Sequence, residues 1–485
     1  MALARWLLGA PDPAPETAAF DAAAIRARQQ AVAALSPESE LRERLALTGD
    51  ELASGKPSDL DPRALRAWSA AEPMRFSAVE RGTAVALGGL AAAAAATWAA
   101  GITSFLPLLV VATAEAVFAQ ALKRRMRCVD RLAESGEHPL SLLSQLLSLL
   151  EERARRPSPP AALAELGAAV GVSAALASDH AARPASADIA RFGSLARSVA
   201  SARRNGVYAL FAFLLQIRVH RAHALERWRV EVGPALSRWL DAVGEFEALL
   251  ALAGYAHEHP DDVFPDIVSM PSLQASGLGH PLLPEANCVR NDVALDSRHA
   301  LLLISGSNMS GKSTLLRAVG LAVVIGQAGA PVRARTLRFS PVQVGACISI
   351  HDSLRDGSSR FWAEITRLRA IDDVARGGRP LIFLLDELLS GTNSHDRLLG
   401  ARAVLRQLLA HGAIGIVTTH DLALAQLADE LSPLASNAHF EDGLQDGRMV
   451  FDYRMRPGVV ERGNALALMR SLGLLGDAGE SGTAP

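Results

Sequence analysis

The chain has 485 residues, 49% of them apolar, and this length predicts two or three domains. Its 49 lysines and arginines nearly balance 51 aspartates and glutamates, so the net charge of −2 gives none of the overall basic character that duplex-binding proteins show. The three cysteines, Cys128, Cys288 and Cys347, lack the paired spacing of a zinc site or a disulfide framework. Such cysteine usage suits a reducing cytoplasm.

Residues 1–75 are rich in alanine, proline and glutamate, and we predict a segment of helical or irregular structure there. The first ten residues contain one arginine and a very short apolar run. This pattern does not predict a cleaved signal peptide.

The next stretch, residues 82–114, contains no charged residue. A helix needs about 20 apolar residues to cross a bilayer. Two such spans fit, over residues 82–100 and 105–122, and residues 101–104 would join them. We therefore predict a transmembrane hairpin of two helices within residues 76–125.

Basic residues flank this predicted hairpin, with Arg81 before it and residues 123–125 after it. Because basic residues mark the cytoplasmic side of a membrane segment, both ends are expected in the cytoplasm together with the rest of the chain. The predicted localisation is the cytoplasmic membrane. The alternative is a buried hairpin in a soluble cytoplasmic protein, which the position of Glu115 within the second span favours.

Residues 126–275 carry the periodicity of helices. In residues 140–150 and 236–255, apolar side chains recur at three- and four-residue spacing, as on the buried face of an amphipathic helix. Residues 207–217 are apolar but too few to cross a bilayer, and we predict a core helix there. This part is expected to be an all-α domain. Its arginines, which alternate with acidic residues, fit a solvated surface and leave a DNA-binding face as the alternative.

A phosphate-binding loop is predicted next. Leu301–Ser305 is an apolar strand that leads into the pattern G-x-x-x-x-G-K-S and then into a helix. Glycines in this pattern let backbone N–H groups converge on a phosphate at the N-terminus of the helix. Lys312 is expected to reach the β- and γ-phosphates, and the Ser313 hydroxyl to ligate Mg²⁺. The predicted phosphate-binding residues are Gly306, Ser307, Asn308, Met309, Ser310, Gly311, Lys312, Ser313 and Thr314.

Two further predicted strands end in residues that suit a hydrolytic site. The apolar residues 380–385 are followed by Asp386 and Glu387, and residues 413–418 lead to His420. Ligands bind at the edge of a parallel sheet where the carboxyl ends of the strands meet. We predict that Asp386 holds Mg²⁺ and that Glu387 polarises the attacking water. His420 is expected to sense the γ-phosphate.

These motifs resemble the C-terminal ATPase domain of the MutS family, a branch of the ABC ATPases. Residues 305–314 read SGSNMSGKST and are similar to the family's TGPNMGGKST, including its Asn-Met pair. Residues 390–396 and 418–422 resemble the family's RGTSTYD and ATHYF segments, and residues 356–365 resemble its signature segment SGRSTFMVEM. The resemblance covers residues 276–473. Residues 474–485 are expected to be a disordered tail.

The resemblance implies an α/β P-loop NTPase domain of the ABC/MutS type at the C-terminus, preceded by core and lever helices. It implies ATP and Mg²⁺ as ligands and a homodimer that shares each ATP site between two chains. In such a site, Ser358 or Ser359 of one chain would touch the γ-phosphate held by the other. Val289 and Asn291 would flank the adenine. Cys288 departs from the family pattern, which often has an aromatic residue near this place.

Three functions fit these motifs. The first is a membrane-associated MutS-like ATPase that couples dimer closure to movement of a helical domain. The second is a DNA-binding clamp for mismatch repair or recombination, with double-stranded DNA as its partner, although residues 1–75 do not resemble the family's mismatch-recognition domain. The third is a transporter ATPase paired with a permease. The Asn-Met pair and the lack of an L-S-G-G-Q signature count against this third function.

Overall fold

The computed structural model describes residues 2–8, 21–54, 62–70, 72, 77–171, 183–204, 206–307, 309–348, 360–445 and 448–459. The predicted tail, residues 474–485, lies outside them. The chain divides into two compact units, and the boundary between them falls within one long helix. The helical unit comprises the described residues of Pro37–Leu250, and the α/β unit those of Leu3–Ser36 and Ala251–Pro485.

The helices of the described residues are α1 (Ala2–Leu8), α2 (Ala22–Leu35), α3 (Ser39–Ser54), α4 (Pro62–Ala70), α5 (Ala78–Ala99), α6 (Leu106–Ala154), α7 (Ala161–Ala169), α8 (Ala185–Arg204), α9 (Gly206–Leu214), α10 (Ile217–Glu258), α11 (Lys312–Ala328), α12 (Arg360–Arg376), α13 (Ser394–Ala410), α14 (Leu422–Ala425) and α15 (Leu427–Glu430). The strands are β1 (Asp266–Ile267), β2 (Ser272–Leu278), β3 (Asn291–Asp296), β4 (Leu301–Ser305), β5 (Thr336–Phe339), β6 (Gln343–Cys347), β7 (Leu381–Leu385), β8 (Ile414–Thr419), β9 (Ala435–Gln445) and β10 (Arg448–Pro457).

The core of the helical unit is built by α6, α8 and α10. Leu143 and Leu147 on α6 are fully buried, at the spacing that the sequence predicts. The ring of Phe192 on α8 lies 4.8 Å from the ring of Trp228 on α10. Both helices predicted from periodicity in this part are confirmed, one within α6 and the other within α10.

The predicted hairpin consists of α5 and the first part of α6. α5 begins with a capping box, in which Ser77 and Glu80 each accept a hydrogen bond from the other's backbone nitrogen. Arg125 Nη1 lies 2.8 Å from Glu80 Oε1 and joins the two helices at this end. Ala78–Ala99 and Leu106–Lys123 are long and apolar enough to cross a bilayer, and only 17% of each apolar window is buried. Membrane insertion of this hairpin stays a prediction.

The apolar residues 207–217 divide between α9 and the start of α10. Leu215 and Gln216 form the turn between the two helices, and Gln216 has φ +50°. Ala212 is buried, whereas Leu210 and Phe211 are 58% and 55% exposed. The expectation of a core helix here is therefore wrong, because the short α9 packs with one face on its neighbouring helices and leaves the other face exposed.

The α/β unit contains a six-stranded sheet with the strand order β10-β9-β4-β8-β7-β6. All its neighbouring strands are parallel except β10, which pairs antiparallel with β9. Leu302 and Ile304 of β4 belong to the core on one face of the sheet, and Leu301 and Leu303 to the core on the other. Burial on both faces explains the continuous apolar runs of the central strands. The predicted α/β fold of this part is confirmed.

A second sheet, with the order β1-β5-β2-β3, and the helix α2 also belong to this unit. Ile25 of α2 is fully buried in the same core as β4. Gln29 Nε2 donates to the carbonyl oxygen of Pro265 at 2.8 Å, and Arg28 Nη2 donates to that of Gln327 at 2.8 Å. The composition of residues 1–75 does not predict this long-range association. The predicted domain boundaries stay predictions.

Candidate functional site

The predicted phosphate-binding loop joins β4 to α11. Gly306 has φ +150° and Gly311 has φ +106°, values that residues with a side chain rarely adopt. A Cβ atom at Gly306 would lie 2.9 Å from the carbonyl oxygen of Phe440 on β9. The loop therefore requires glycine at this position, because it runs directly against the neighbouring strand.

Lys312 is the first residue of α11 and is 4% exposed. Its Nζ donates to the carbonyl oxygens of Gly306 at 2.8 Å and Ser307 at 2.6 Å. Burial lowers the pKa of Lys312, and nearby carboxylates, that of Glu387 first, act in the opposite direction. The ammonium group thus lies over the loop, where it can contact an anion that the loop binds.

Two serine hydroxyls of the loop are buried and find no hydrogen-bond partner among the described residues. Ser307 Oγ and Ser310 Oγ have no hydrogen-bond partner within the described part of the chain. Since buried polar groups are normally hydrogen-bonded, these hydroxyls fit a loop that encloses a polar ligand. Met309 has φ +71° and is 82% exposed at the rim. Asn308 lies outside the described residues.

Thr418 on β8 holds the acidic pair at the end of β7. Its Oγ1 donates to Asp386 Oδ1 at 2.5 Å and accepts from the backbone nitrogen of Glu387 at 3.1 Å. Glu387 has φ +50°, an uncommon conformation for a residue with a side chain. Because β8 lies between β4 and β7, the acidic pair and the phosphate-binding loop share one edge of the sheet.

His420 follows β8 and lies beside Glu387. Its Nδ1 is 3.6 Å from Glu387 Oε1, and the imidazole is about half exposed. The structure thus brings together the predicted catalytic residues Lys312, Glu387 and His420 with the predicted metal ligand Asp386.

A cavity of about 910 Å³ opens beside the loop, within the range of volumes typical of small-molecule sites. Its lining combines residues of the loop and the acidic pair with apolar side chains. The first group is Gly311, Lys312, Ser313, Thr314 and Glu387. The lining also includes Leu278, Cys288, Val289, Asn291, Phe440 and Tyr453.

Asn291 lines the cavity and connects β3 with β10. Its Nδ2 donates to the carbonyl oxygen of Tyr453 at 3.0 Å, and its Oδ1 accepts from the backbone nitrogen of Met455 at 2.8 Å. Tyr453 has φ +56° and lies where the pairing of β10 with β9 shifts register. Tyr453 belongs to none of the motifs in the sequence, and no signal there predicts it as a site residue.

The predicted partner-contacting residues Ser358 and Ser359 lie outside the described residues, but the helix that follows them, α12, is described. Glu364 on α12 is 4% exposed. Its Oε1 accepts a hydrogen bond from the backbone nitrogen of Leu389 at 2.6 Å. This buried contact connects α12 with the segment that follows the acidic pair.

Arg397 on α13 joins two segments at the same edge of the sheet. Its Nε and Nη2 donate to the carbonyl oxygens of Leu389 at 3.3 Å and Thr392 at 3.1 Å, and its Nη1 lies 3.4 Å from Asp421 Oδ2. Asp421 directly follows His420. One guanidinium group therefore cross-links the segments after β7 and β8. No motif in the sequence predicts this role of Arg397.

The residues present fit a nucleotide with its magnesium ion. Mg²⁺ in nucleotide sites usually takes one or two oxygen ligands from the protein and completes its shell with water and phosphate oxygens. Ser313 lines the cavity and Asp386 is hydrogen-bonded at one carboxylate oxygen. Across the described ranges, no group of three or more His, Cys, Asp and Glu side chains forms an independent metal site.

Comparison with known proteins matches residues 302–474 to the family model MutS domain V. The chain is 39% identical to Endonuclease MutS2 from Thermus thermophilus over 203 residues, which are 40% of this chain and 25% of that protein. It is 33% identical to DNA mismatch repair protein MutS 2 from Halobacterium salinarum over 273 residues, 55% of this chain and 30% of that protein. It is also 33% identical to DNA mismatch repair protein MutS from an Exiguobacterium species over 227 residues, which are 46% of this chain and 26% of that protein.

The chain thus covers less than a third of the length of these relatives. The family match begins in β4 and includes Lys312, Asp386, Glu387 and His420. The motifs, the parallel sheet and the family match all concern the same part of the chain. Residues 302–474 are therefore a MutS domain V.

Proposed function

We propose that this chain is a Mg²⁺-dependent ATP hydrolase of the MutS type whose complete site requires two copies of the chain. The observation that carries the proposal is the convergence of Lys312, Asp386, Glu387 and His420 beside a cavity of about 910 Å³. Phosphoryl transfer needs this combination of positioned cation, carboxylates and phosphate-binding backbone.

We assign the polar side chains of the site roles in ATP binding and hydrolysis from their positions. Lys312 and the N–H groups of the loop bind the phosphates. Ser313 and Asp386 would hold Mg²⁺, which neutralises charge on phosphate oxygens when it is bound. Glu387, which lines the cavity, accepts a hydrogen bond from the attacking water and orients it. His420 contacts the terminal phosphate from beside Glu387.

The apolar side chains that line the cavity are proposed to bind the adenine. Val289 and Tyr453 are among these side chains, and Tyr453 supplies an aromatic face. The contacts of Asn291 with the backbone of β10 support this position of the ring. Tyr453 would thus take over the stacking role that Cys288 cannot fill.

The second copy of the chain is proposed to contribute Ser358 and Ser359 to the γ-phosphate. Two observations support a shared site: the similarity of residues 356–365 to the MutS signature segment, and the hydrogen bond from Leu389 to Glu364. This hydrogen bond gives the helix after the serines a direct connection to the acidic segment. ATP would therefore close a homodimer of α/β units, and we propose that closure is coupled to movement of the helical unit.

We further propose that α5 and the first part of α6 anchor the helical unit in the cytoplasmic membrane. Val85, Leu90 and Val110 on this hairpin are 56–62% exposed. The 22 residues of α5 make a helix about 33 Å long, enough for a hydrocarbon core of about 30 Å. At the tip, the rings of Trp98 and Phe105 lie 5.4 Å apart, as suits an aromatic pair at a membrane interface.

A DNA-binding clamp is the second candidate function. It is favoured by the names of the relatives, which describe an endonuclease and mismatch repair proteins. Retention on duplex DNA that weakens steeply as salt rises would support the clamp. Pelleting with membranes and release only by detergent would support the membrane-attached ATPase.

The experiment that tests the hydrolytic site is the Glu387→Gln variant. It should bind ATP as tightly as the unchanged protein and lose at least about 100-fold in turnover, because a neutral amide is a far weaker base. Glu430→Gln, which changes an exposed glutamate paired with Arg402, is the control and should keep full turnover. Normal turnover by the Glu387→Gln protein would remove Glu387 from its proposed role.

A further inference from the structure

We infer that α9 and the start of α10 enter the bilayer beside the α5–α6 hairpin, as a re-entrant element whose outer face contacts lipid hydrocarbon. The inference rests on the proposed membrane attachment of the hairpin and adds to it a second inserted element. α9 has nine residues and is about 14 Å long, so it cannot cross a hydrocarbon core of about 30 Å. It would enter from the cytoplasmic side, and α10 would return to that side.

The contacts of α9 and α10 with α5 place their turn partway along the hairpin. Gly88 on α5 is buried, and a Cβ atom there would lie 3.3 Å from the carbonyl oxygen of Leu215. Nearer the start of α5, Arg81 Nη1 lies 3.3 Å from His223 Nε2 on α10. The helical rise from Arg81 to Gly88 is about 10 Å. The Leu215 turn therefore lies about 10 Å from the charged end of the hairpin, toward its tip.

Several backbone nitrogens at the turn donate hydrogen bonds within the element. Leu215 N donates to Phe211 O at 2.9 Å, Gln216 N donates to Phe213 O at 3.1 Å, and His220 N donates to Gln216 O at 3.2 Å. The Gln216 side chain adds a hydrogen bond to Phe213 O at 2.9 Å. Irregular backbone is tolerated at membrane depth only when its polar groups have such partners.

The side chains at this depth divide into a polar inner face and an apolar outer face. Gln216 is 4% exposed, and Glu115 of α6 is fully buried. Intramembrane carboxyl groups normally face the protein interior in this way. Leu210, Phe211 and Leu215, in contrast, are 58%, 55% and 41% exposed. An apolar outer face next to the exposed apolar faces of α5 and α6 continues the same lipid-facing surface.

The test measures depth with a fluorescent label. In a full-length background whose three cysteines are changed to alanine, single cysteines at Phe211, Val110 or Arg227 are labelled with NBD. The labelled proteins are inserted into vesicles of phosphatidylcholine and phosphatidylglycerol that carry doxyl-labelled lipids. Val110 reports on the hairpin, and Arg227, whose side chain is 70% exposed on α10, reports on the aqueous side.

We expect quenching at positions 110 and 211 and none at 227. Quenching at 110 without quenching at 211 would overturn the re-entrant element while leaving the anchored hairpin intact. Absence of quenching at both positions would overturn the membrane attachment and the inference together.

Two neighbouring glycines give a matched pair of variants. Gly88→Val would push side-chain atoms against the backbone at Leu215, whereas Gly89 has no atom within 4 Å of its Cβ position. Gly88→Val should reduce quenching at position 211 at least about twofold and leave quenching at 110 unchanged. Gly89→Val, with the same loss of glycine in the same helix, should change neither. Equal quenching at 211 in both variants would overturn the docking of the turn on α5.

Discussion

The carboxylate of Glu364 accepts a hydrogen bond from the backbone nitrogen of Leu389 at 2.6 Å, and Glu364 is 4% exposed. Leu389 follows the acidic pair that ends β7, and Glu364 lies on the helix that follows the predicted partner-contacting serines. The hydrogen bond therefore connects the part of the site that would face a second chain with the part that holds Glu387.

Loss of this hydrogen bond should slow hydrolysis more than it weakens nucleotide binding. Glu364→Ala leaves a buried backbone N–H unpaired, at a cost of about 1–3 kcal/mol, and releases the segment after Glu387. We expect turnover at saturating ATP to fall about tenfold, with the Kd for ATP within about twofold of the unchanged protein. Glu364→Gln keeps an acceptor oxygen and should retain most of the turnover. Equal losses in both variants would show that the hydrogen bond is not the cause.

The hydroxyl of Thr418 should determine how well Asp386 serves Mg²⁺. Thr418→Val keeps the shape of the side chain but removes the hydrogen bonds to Asp386 and from Glu387 N. A hydrogen bond to a charged group contributes about 1.5–3 kcal/mol. The Mg²⁺ concentration for half-maximal turnover should therefore rise about tenfold or more. Thr418→Ser, which keeps the hydroxyl, should respond to Mg²⁺ as the unchanged protein does, and a shifted response there would contradict this role.

ATP affinity should decline in the alkaline range through the deprotonation of Lys312. Burial lowers the pKa of Lys312 from the ordinary value of 10.5, and only the protonated amine attracts phosphate. Affinity should therefore be lost as pH rises through this lowered pKa, before pH 10.5 is reached. Lys312→Arg keeps its charge at these pH values, so its affinity, though weaker, should not show this decline. Equilibrium binding of ATP across pH tests both proteins, and an equal decline in both would exclude Lys312 as the titrating group.

Tyr453 should contribute to binding through its ring rather than its hydroxyl. Stacking of a base on an aromatic side chain contributes about 1–3 kcal/mol, so Tyr453→Ala should raise the Kd for ATP by about 5- to 150-fold. Tyr453→Phe should leave the Kd nearly unchanged. Calorimetric titration measures both. An unchanged Kd in Tyr453→Ala would place the adenine elsewhere.

Local patterns in the sequence predict those parts of the structure that are formed by residues close together in the chain. The strand that leads into Gly306, the acidic pair after β7 and the histidine after β8 are each short motifs, and the parallel sheet brings them to one edge. Helices with clear periodicity, such as the part of α6 that contains Leu143 and Leu147, are predicted for the same reason.

Contacts between distant residues cannot be predicted from such patterns. The packing of Ile25 into the core around β4 and the contacts of Asn291 with the backbone of β10 join segments far apart in the chain. Tyr453 lies at a register shift between β9 and β10 and lines the cavity. The sequence does not indicate this register shift. The exposed Phe211 was also beyond prediction, because a short apolar run has the same composition in a core and on a surface.

Complementation between two inactive chains tests the central claim most directly. Lys312→Met should abolish binding of ATP by its own chain but leave Ser358 and Ser359 intact, whereas the Ser358→Ala, Ser359→Ala double variant should bind ATP and lack the groups offered to a partner. Each protein alone should be nearly inactive. Mixed in equal amounts, they should regain a substantial fraction of the unchanged turnover, because a mixed dimer contains one complete site. Turnover that stays at the level of the separate proteins, although mixed dimers form, would contradict a site shared between two chains.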